Sequence, residues 1–193
     1  GDSLMNKLER AFVFACHAHE GMIRKGFNQN YIFHPVEVLS LASILTDDED
    51  VLCAALLHDT VEDTNTAIED IEKQFGLRVR QLVAKESEDK KESMPKSQSW
   101  QIRKQEAIDK LKQEDDLGVK IVCLCDKVSN LRSFQLLCFD KGDDAWNSFN
   151  MKDPKKHYWY YSSILEALSE LKDTPVYKEY DFLVHSIFDK YIR

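Results

Sequence analysis

Breakers are scarce in this chain. Six Gly and four Pro in 193 residues leave little to interrupt long helices. Long apolar runs are lacking too: the longest are a handful of residues, such as Ala54–Leu57, against the ~20 needed to span a bilayer. Basic residues are outnumbered, 26 Lys and Arg against 34 Asp and Glu, for a net charge of −8. That balance excludes a broad nucleic-acid surface, because nothing in the overall field attracts a polyanion. A small phosphorylated ligand held by a few placed cations stays compatible with it. Gly1–Lys7 shows no basic stretch followed by an apolar one, so no signal peptide is expected, and Gly1-Asp2-Ser3 reads as a tag remnant. The five cysteines, Cys16, Cys53, Cys123, Cys125 and Cys138, are odd in number, against a disulfide framework. Cys123 and Cys125, two apart on a helix, point to different faces, which argues against a metal clip. All five are expected to act as small buried hydrophobes in a reducing cytoplasm.

What is present fits a helical fold. At ~100–200 residues per domain the length suits one domain, and 43% hydrophobic residues suffice for a core. Leu4, Leu8, Ala11, Phe12 and Ala15 recur at helical spacing and predict an opening amphipathic helix. Residues 21–31 lack periodicity and read as a loop. His34-Pro35 starts a second helix with Val36, Leu39 and Ile44 on its apolar face. Thr46–Asp50 caps a third, running from Val51 to about Asp63. Further helices are expected over Thr66–Phe75, ended by Gly76, and over Leu77–Lys85. Glu86–Ser99 reads as an exposed loop whose charge run, Asp89-Lys90-Lys91-Glu92, is solvated. Helices resume over Ile102–Leu111 and from Val119 through Val128, Leu131 and Phe134. Asp153-Pro154 and Thr174-Pro175 pair an N-cap with Pro at the first helical position and open two final helices. The prediction is an all-α domain of about eight to ten helices.

The segment Leu56-Leu57-His58-Asp59-Thr60-Val61-Glu62-Asp63-Thr64 carries the most chemical information. An apolar run drives directly into one imidazole and three carboxylates. Each would be costly at a buried helix end unless paired. A metal ion removes that cost, and a His-Asp pair suits a borderline-to-hard divalent ion with nitrogen and oxygen ligands. On spacing alone, a metal is one reading and a paired helix end another. Two further segments bear on the choice. Tyr31-Ile32-Phe33-His34-Pro35 sets an imidazole at a helix start, where an N-cap is the plain alternative. Cys125-Asp126-Lys127-Val128-Ser129-Asn130-Leu131-Arg132 follows an apolar run with a carboxylate and then an amide.

Read together, these segments resemble the HD-domain superfamily of metal-dependent phosphohydrolases, and within it the hydrolase domain of the RelA/SpoT family in standalone form. The likeness spans about residues 11–132, with the remainder (140–193) expected to complete a single domain over 1–193. It rests on His19-x-Gly21-x-x-Arg24-Lys25, Tyr31-Ile32-x-His34-Pro35, Leu56-Leu57-His58-Asp59-x-x-Glu62-Asp63-Thr64, Phe75-Gly76 and Asp126-Lys127-x-x-Asn130-Leu131-Arg132. The resemblance implies four metal ligands, His34, His58, Asp59 and Asp126, with Mn²⁺ as the usual ion. It implies that Glu62 and Asp63 position and activate the attacking water, and that Asn130 is a site-organising amide. Met22 stands where the family often has Gln, Ser129 where the long bifunctional enzymes have His, and Cys125 where Ala is common.

A dication offsets Asp59 and Asp126, after which Glu62 and Asp63 leave the site negative, so a polyphosphate needs cations around it. Arg24 and Lys25 match the family's basic pair and are the leading candidates; Arg103, Lys104, Lys155, Lys156 and Tyr158 are secondary ones. His17, His19, His157 and His185 read as structural, and the aromatic stretch from Trp146 to Tyr161 as core packing. The expected activity is Mn²⁺-dependent removal of the 3′-pyrophosphate from guanosine 3′,5′-bispyrophosphate (ppGpp) or its pentaphosphate form. A phosphatase for another nucleotide such as NADPH, or an inactive nucleotide-binding domain, are the alternatives. Partners are expected to be a phosphorylated nucleotide only, with no nucleic acid and no membrane, and the oligomeric state is left open.

Overall fold

The computed structural model describes residues 5–193. The expected tag remnant and Leu4, the first apolar position expected on the opening helix, lie outside the described residues. The chain is all-α: the described residues form ten α-helical segments and two 3₁₀ turns, with a single isolated antiparallel bridge between Ile23 and Asn30. No described helix is long and apolar enough to cross a membrane. The chain gathers into two compact units, one of the residues up to Ser87 with Asp116–Asp126, the other of Glu88–Asp115 with Lys127–Arg193.

The first unit holds α1 (Lys7–Ala18), α2 (Phe33–Leu45), α3 (Glu49–Leu57), α4 (Thr60–Asp63), α5 (Ile68–Phe75), α6 (Leu77–Glu86) and the start of α8 (Leu117–Lys141). Helix α3 is its centre: Cys53, Ala54, Ala55, Leu56 and Leu57 are fully buried, and α1, α2 and α6 pack around it. Asn6 caps α1 in a box with Glu9, each side chain answering the other's backbone N–H. Asp48 caps α3 by accepting from the Asp50 amide at 3.0 Å, as the cluster at 46–50 predicted. On α2 the buried face is Val38, Leu41 and Ala42 with Leu39, not the expected stripe: Ile44 is exposed, because at helical period it falls on the side of the helix opposite the arc spanned by Pro35, Val38, Leu39 and Ala42. Gly76 takes φ +95° between α5 and α6, a left-handed conformation in which a side chain would be strained.

At the start of α8, Arg78 grips Asp116 in a bidentate pair, and Asp116 accepts the Gly118 amide at 2.9 Å. A Cβ at Gly118 would stand 2.9 Å from Val51 Cγ2 and 3.0 Å from an Arg78 guanidinium nitrogen. The glycine therefore lets α8 approach α3 closely, which sets the line along which Asp126 is carried.

The second unit comprises α7 (Lys96–Lys112), the rest of α8, a 3₁₀ turn at Gly142–Ser148, α9 (Pro154–Ala167), a second 3₁₀ turn at Ser169–Leu171, and α10 (Pro175–Ile192). Both predicted Pro-led helices are present, with Asp153 accepting from the Lys155 amide and Thr174 from the Tyr177 amide. Its core is aromatic. Trp146 stacks on His157 at 5.1 Å and on Phe188 at 5.5 Å, and Phe134 meets Trp146, Phe149 and Tyr161 edge-on. His157 donates to the Met151 carbonyl at 2.8 Å, and burial lowers its pKa, so it serves as a neutral core group. Helix α7 starts at Lys96, inside the stretch expected as loop, because Ser99 and Trp100 are buried and Trp100 packs on His157, Trp159 and Tyr160. The expectation of five buried cysteines holds for Cys53, Cys123 and Cys125. Cys16 is exposed and Cys138 half-buried, and none of the five forms a disulfide among the described residues.

Candidate metal centre

The expected helix from Val51 to Asp63 is interrupted where the chemistry lies. Helix α3 stops at Leu57, His58 and Asp59 form a turn, and α4 begins at Thr60. Side chains meet carbonyls released at that break: Thr60 Oγ1 donates to the Leu57 carbonyl and His58 Nδ1 to the Ala55 carbonyl, each at 2.7 Å. Both residues keep right-handed helical dihedrals, His58 at φ −57°, ψ −32° and Asp59 at φ −98°, ψ −5°, so the chain direction changes little while the hydrogen-bond ladder is interrupted.

Four groups come together in the first unit. His34 arrives from the first turn of α2, His58 and Asp59 from the turn after α3, and Asp126 from α8. One ligand atom from each lies within 4.8 Å of all the others. His34 Nε2 stands 3.0 Å from Asp126 Oδ1 and 3.4 Å from Asp59 Oδ2. His58 Nε2 stands 3.0 Å from Asp59 Oδ2 and 3.3 Å from Asp126 Oδ1, and the two Nε2 atoms are 3.3 Å apart. Donors each about 2.0–2.2 Å from one ion are separated by roughly 2.8–3.6 Å for angles from 90° to tetrahedral. These five separations fall in that interval, and the sixth pair, the two carboxylates, lies within 4.8 Å, so the donor set fits a divalent ion with nitrogen and oxygen ligands and no thiolate. His34, His58 and Asp126 are buried and Asp59 nearly so.

Electrostatics agree with that fit. Burial opposes charge on His58, yet the Asp59 and Asp126 carboxylates outweigh it and raise its pKa well above the ordinary value. Burial likewise opposes ionisation of Asp59, but His58 and His34 pull it well below the carboxylate range. Without a metal, the raised pKa of His58 lets a proton there offset the neighbouring carboxylates; a dication would do the same work.

Glu62 and Asp63 sit one turn beyond the His-Asp pair on α4, half-buried and exposed respectively. They line an open cavity of about 950 Å³ together with Arg10, Phe14, Met22 and Thr64. Arg24 and Lys25 lie on the loop before α2, in the same unit, with Arg24 half-buried over the Tyr31 ring and Lys25 exposed. The other expected substrate contacts belong to the second unit. Asn130 is half-buried on α8. Arg103 and Lys104 are both engaged by Glu88, at 3.2 and 3.1 Å. Lys155 and Lys156 are exposed in the first turn of α9, and Tyr158 packs on Phe188. His19 is buried against Met22 and Tyr31, with burial lowering its pKa, and its Nε2 has no hydrogen-bond partner among the described residues.

Sequence reasoning did not single out Tyr31 as a site residue. Its hydroxyl donates to Asp59 Oδ2 at 2.5 Å, and burial together with that carboxylate pushes its pKa far up. The signal available was its place three residues before His34; the partner, 28 positions downstream, is visible only in three dimensions.

Comparison with known proteins agrees with this geometry. Residues 11–142 match the HD domain family. The mouse guanosine-3′,5′-bis(diphosphate) 3′-pyrophosphohydrolase MESH1 is 40% identical over 132 residues, 65% of this chain and 68% of that protein. The bifunctional (p)ppGpp synthase/hydrolase SpoT of Escherichia coli is 34% identical over 138 residues, 71% of this chain but only 19% of that much longer protein. A solved structure described as a metazoan ortholog of SpoT that hydrolyzes ppGpp superposes with a TM-score of 0.77 at 25% identity, covering 96% of this chain and 98% of its own. By its family match, its fold and the convergence of His34, His58, Asp59 and Asp126, the chain belongs to the HD-domain family and is an enzyme built like the family's guanosine-3′,5′-bis(diphosphate) 3′-pyrophosphohydrolases.

Proposed function

We propose that this protein is a Mn²⁺-dependent phosphohydrolase that removes the 3′-pyrophosphate from ppGpp or its pentaphosphate form, giving GDP or GTP and pyrophosphate. The observation that carries this reading is the four-donor cluster with two carboxylates one helical turn beyond it. His34, His58, Asp59 and Asp126 would hold a divalent ion, which would supply Lewis acidity toward water and phosphoryl oxygen. Glu62 and Asp63 orient the attacking water and accept its proton, a role worth about 10²–10⁴ in rate. Arg24 offers a fork for phosphate and Lys25 a point charge, offsetting the acidity of the pocket. Asn130, Arg103, Lys104, Lys155, Lys156 and Tyr158 are secondary proposed substrate contacts, each tested by the rise in KM on replacement with alanine. Five cysteines without a disulfide suit a reducing cytoplasm.

Incubation of purified protein and Mn²⁺ with ppGpp, NADPH and simple nucleotides, with the products identified, tests the proposal. Pyrophosphate and GDP from ppGpp support it. Inorganic phosphate from NADPH with no pyrophosphate from ppGpp moves the substrate to the NADPH alternative. Tight nucleotide binding without any turnover replaces the enzyme reading with that of a sensor.

A further inference from the structure

We infer that Tyr31 is a positioning residue with two separable jobs: its hydroxyl holds the Asp59 carboxylate for metal ligation, and its ring shelves the Arg24 guanidinium. The inference rests on the metal-centre reading above and names a residue that joins it to the phosphate-gripping loop.

The hydroxyl and the two imidazoles converge on one oxygen. Asp59 Oδ2 accepts from Tyr31 at 2.5 Å while standing 3.0 Å from His58 Nε2 and 3.4 Å from His34 Nε2. A carboxylate rotates about its Cβ–Cγ bond unless something holds it, and an outer hydrogen bond of this kind orients a ligand and tunes its basicity. The ring is fixed from several sides. His19 lies 4.9 Å away by centroid, His34 meets it edge-on at 5.7 Å, and the Arg24 guanidinium carbon sits 5.8 Å from the ring centre. Cation–π contact of that sort holds a guanidinium without consuming its hydrogen-bond donors.

The loop itself explains why Arg24 and Tyr31 meet. Tyr31 N–H donates to the Met22 carbonyl and Arg24 N–H to the Gln29 carbonyl, both at 2.8 Å, on either side of the Ile23–Asn30 bridge. Residues 22–31 thus fold back like a hairpin, setting Arg24 beside the phenol whose far end reaches Asp59.

Tyr31→Phe removes the hydroxyl and keeps the shelf; Tyr31→Leu removes both. Metal titration of the metal-free protein in the absence of substrate, with Mn²⁺ or with Co²⁺ followed by its visible absorption, reads the first job. The dissociation constant is expected to weaken about 10–100-fold in Tyr31→Phe, with an altered Co²⁺ spectrum and little change in the unfolding midpoint of the metal-free protein. At saturating metal, Tyr31→Phe is expected to lower kcat with KM unchanged, whereas Tyr31→Leu also raises KM. In the unsubstituted protein, metal loading of Asp59 is expected to shift the near-ultraviolet tyrosine absorption, a readout independent of how either variant folds. Wild-type metal affinity and Co²⁺ spectrum in Tyr31→Phe, or an unshifted tyrosine band, overturn the first job; equal KM in the two variants overturns the second. Failure of the wild-type protein to hydrolyse ppGpp while Tyr31→Phe still loses metal affinity overturns the substrate reading and leaves this inference standing.

Discussion

His58 donates its Nδ1 proton to the carbonyl of Ala55 at 2.7 Å, so Nε2 is the ring atom turned toward His34, Asp59 and Asp126, where it donates to carboxylate while protonated and offers its lone pair once that proton is lost. A carbonyl can only accept, and that single bond sets both the tautomer and the orientation of the ring. The backbone three residues earlier therefore aims Nε2 at the cluster, so that an ion has only to displace its proton.

Asp126 is the one candidate ligand supplied by α8, and its Oδ1 faces both imidazoles. Asp126→Ala is expected to abolish metal-dependent turnover and to lower bound metal to background, as read by elemental analysis after dialysis. Full metal content together with undiminished activity would remove Asp126 from the ligand set.

Glu62→Gln keeps the shape of the side chain and removes its basicity. Turnover is expected to fall by about 10²–10⁴ with metal affinity within a few-fold of wild type. A parallel loss of metal in the titration would instead make Glu62 a ligand.

The metal-free protein has a predictable pH response. Because the folded state raises the pKa of His58, it binds a proton more tightly than the unfolded chain, whose ordinary value is about 6.5. That contribution is complete below about pH 6.5 and is lost as pH rises through the folded value. Asp59 works in the opposite sense: its depressed pKa contributes stability above the ordinary carboxylate range that disappears on acidification. Thermal unfolding of metal-free protein should therefore show a midpoint that falls from mildly acidic to alkaline pH, and added Mn²⁺ should reduce the alkaline loss. An equal alkaline fall with and without metal would contradict this linkage.

Glu88 carries the charge balance of a cationic corner in the second unit. Arg103 and Lys104 both bind it, and Lys104 and Lys127 lie over the Tyr160 ring. The pKa of Glu88 is lowered: burial opposes its ionisation, and Lys104 and Lys127 overcome that cost. Lys104 is also lowered, because burial and neighbouring cations outweigh its one carboxylate. The two shifts agree once the pair is seen as one anion shared among several cations. Glu88→Gln is expected to cost about 2 kcal/mol in denaturant unfolding, since the remaining charges are then half-buried without compensation. No change in the unfolding midpoint would contradict this account.

Much of the architecture was legible from local chemistry. The Pro-led starts of α9 and α10, the cap of α3 and the glycine end of α5 follow from residues that act within one or two turns of themselves. The four candidate ligands were legible as well, through the motifs that His34, His58, Asp59 and Asp126 sit in. Other features were not. The face of α2 was misplaced at Ile44, and α7 begins at Lys96 where charge and serine suggested a loop, because burial of Trp100 depends on α9. Composition likewise could not separate exposed Cys16 from buried Cys53.

The sequence by itself determined that this protein is helical, acidic and equipped with a His-Asp motif of a metal-dependent phosphohydrolase, since periodicity, capping and motif spacing are all written in neighbouring residues. Only the tertiary structure decided that the helix breaks at His58, that four donors from three separate segments stand 3.0–3.4 Å from their neighbours across the cluster, and that Tyr31 reaches Asp59. Those relationships join residues tens of positions apart, and they depend on packing around α3 and on the close approach at Gly118 that no local signal encodes.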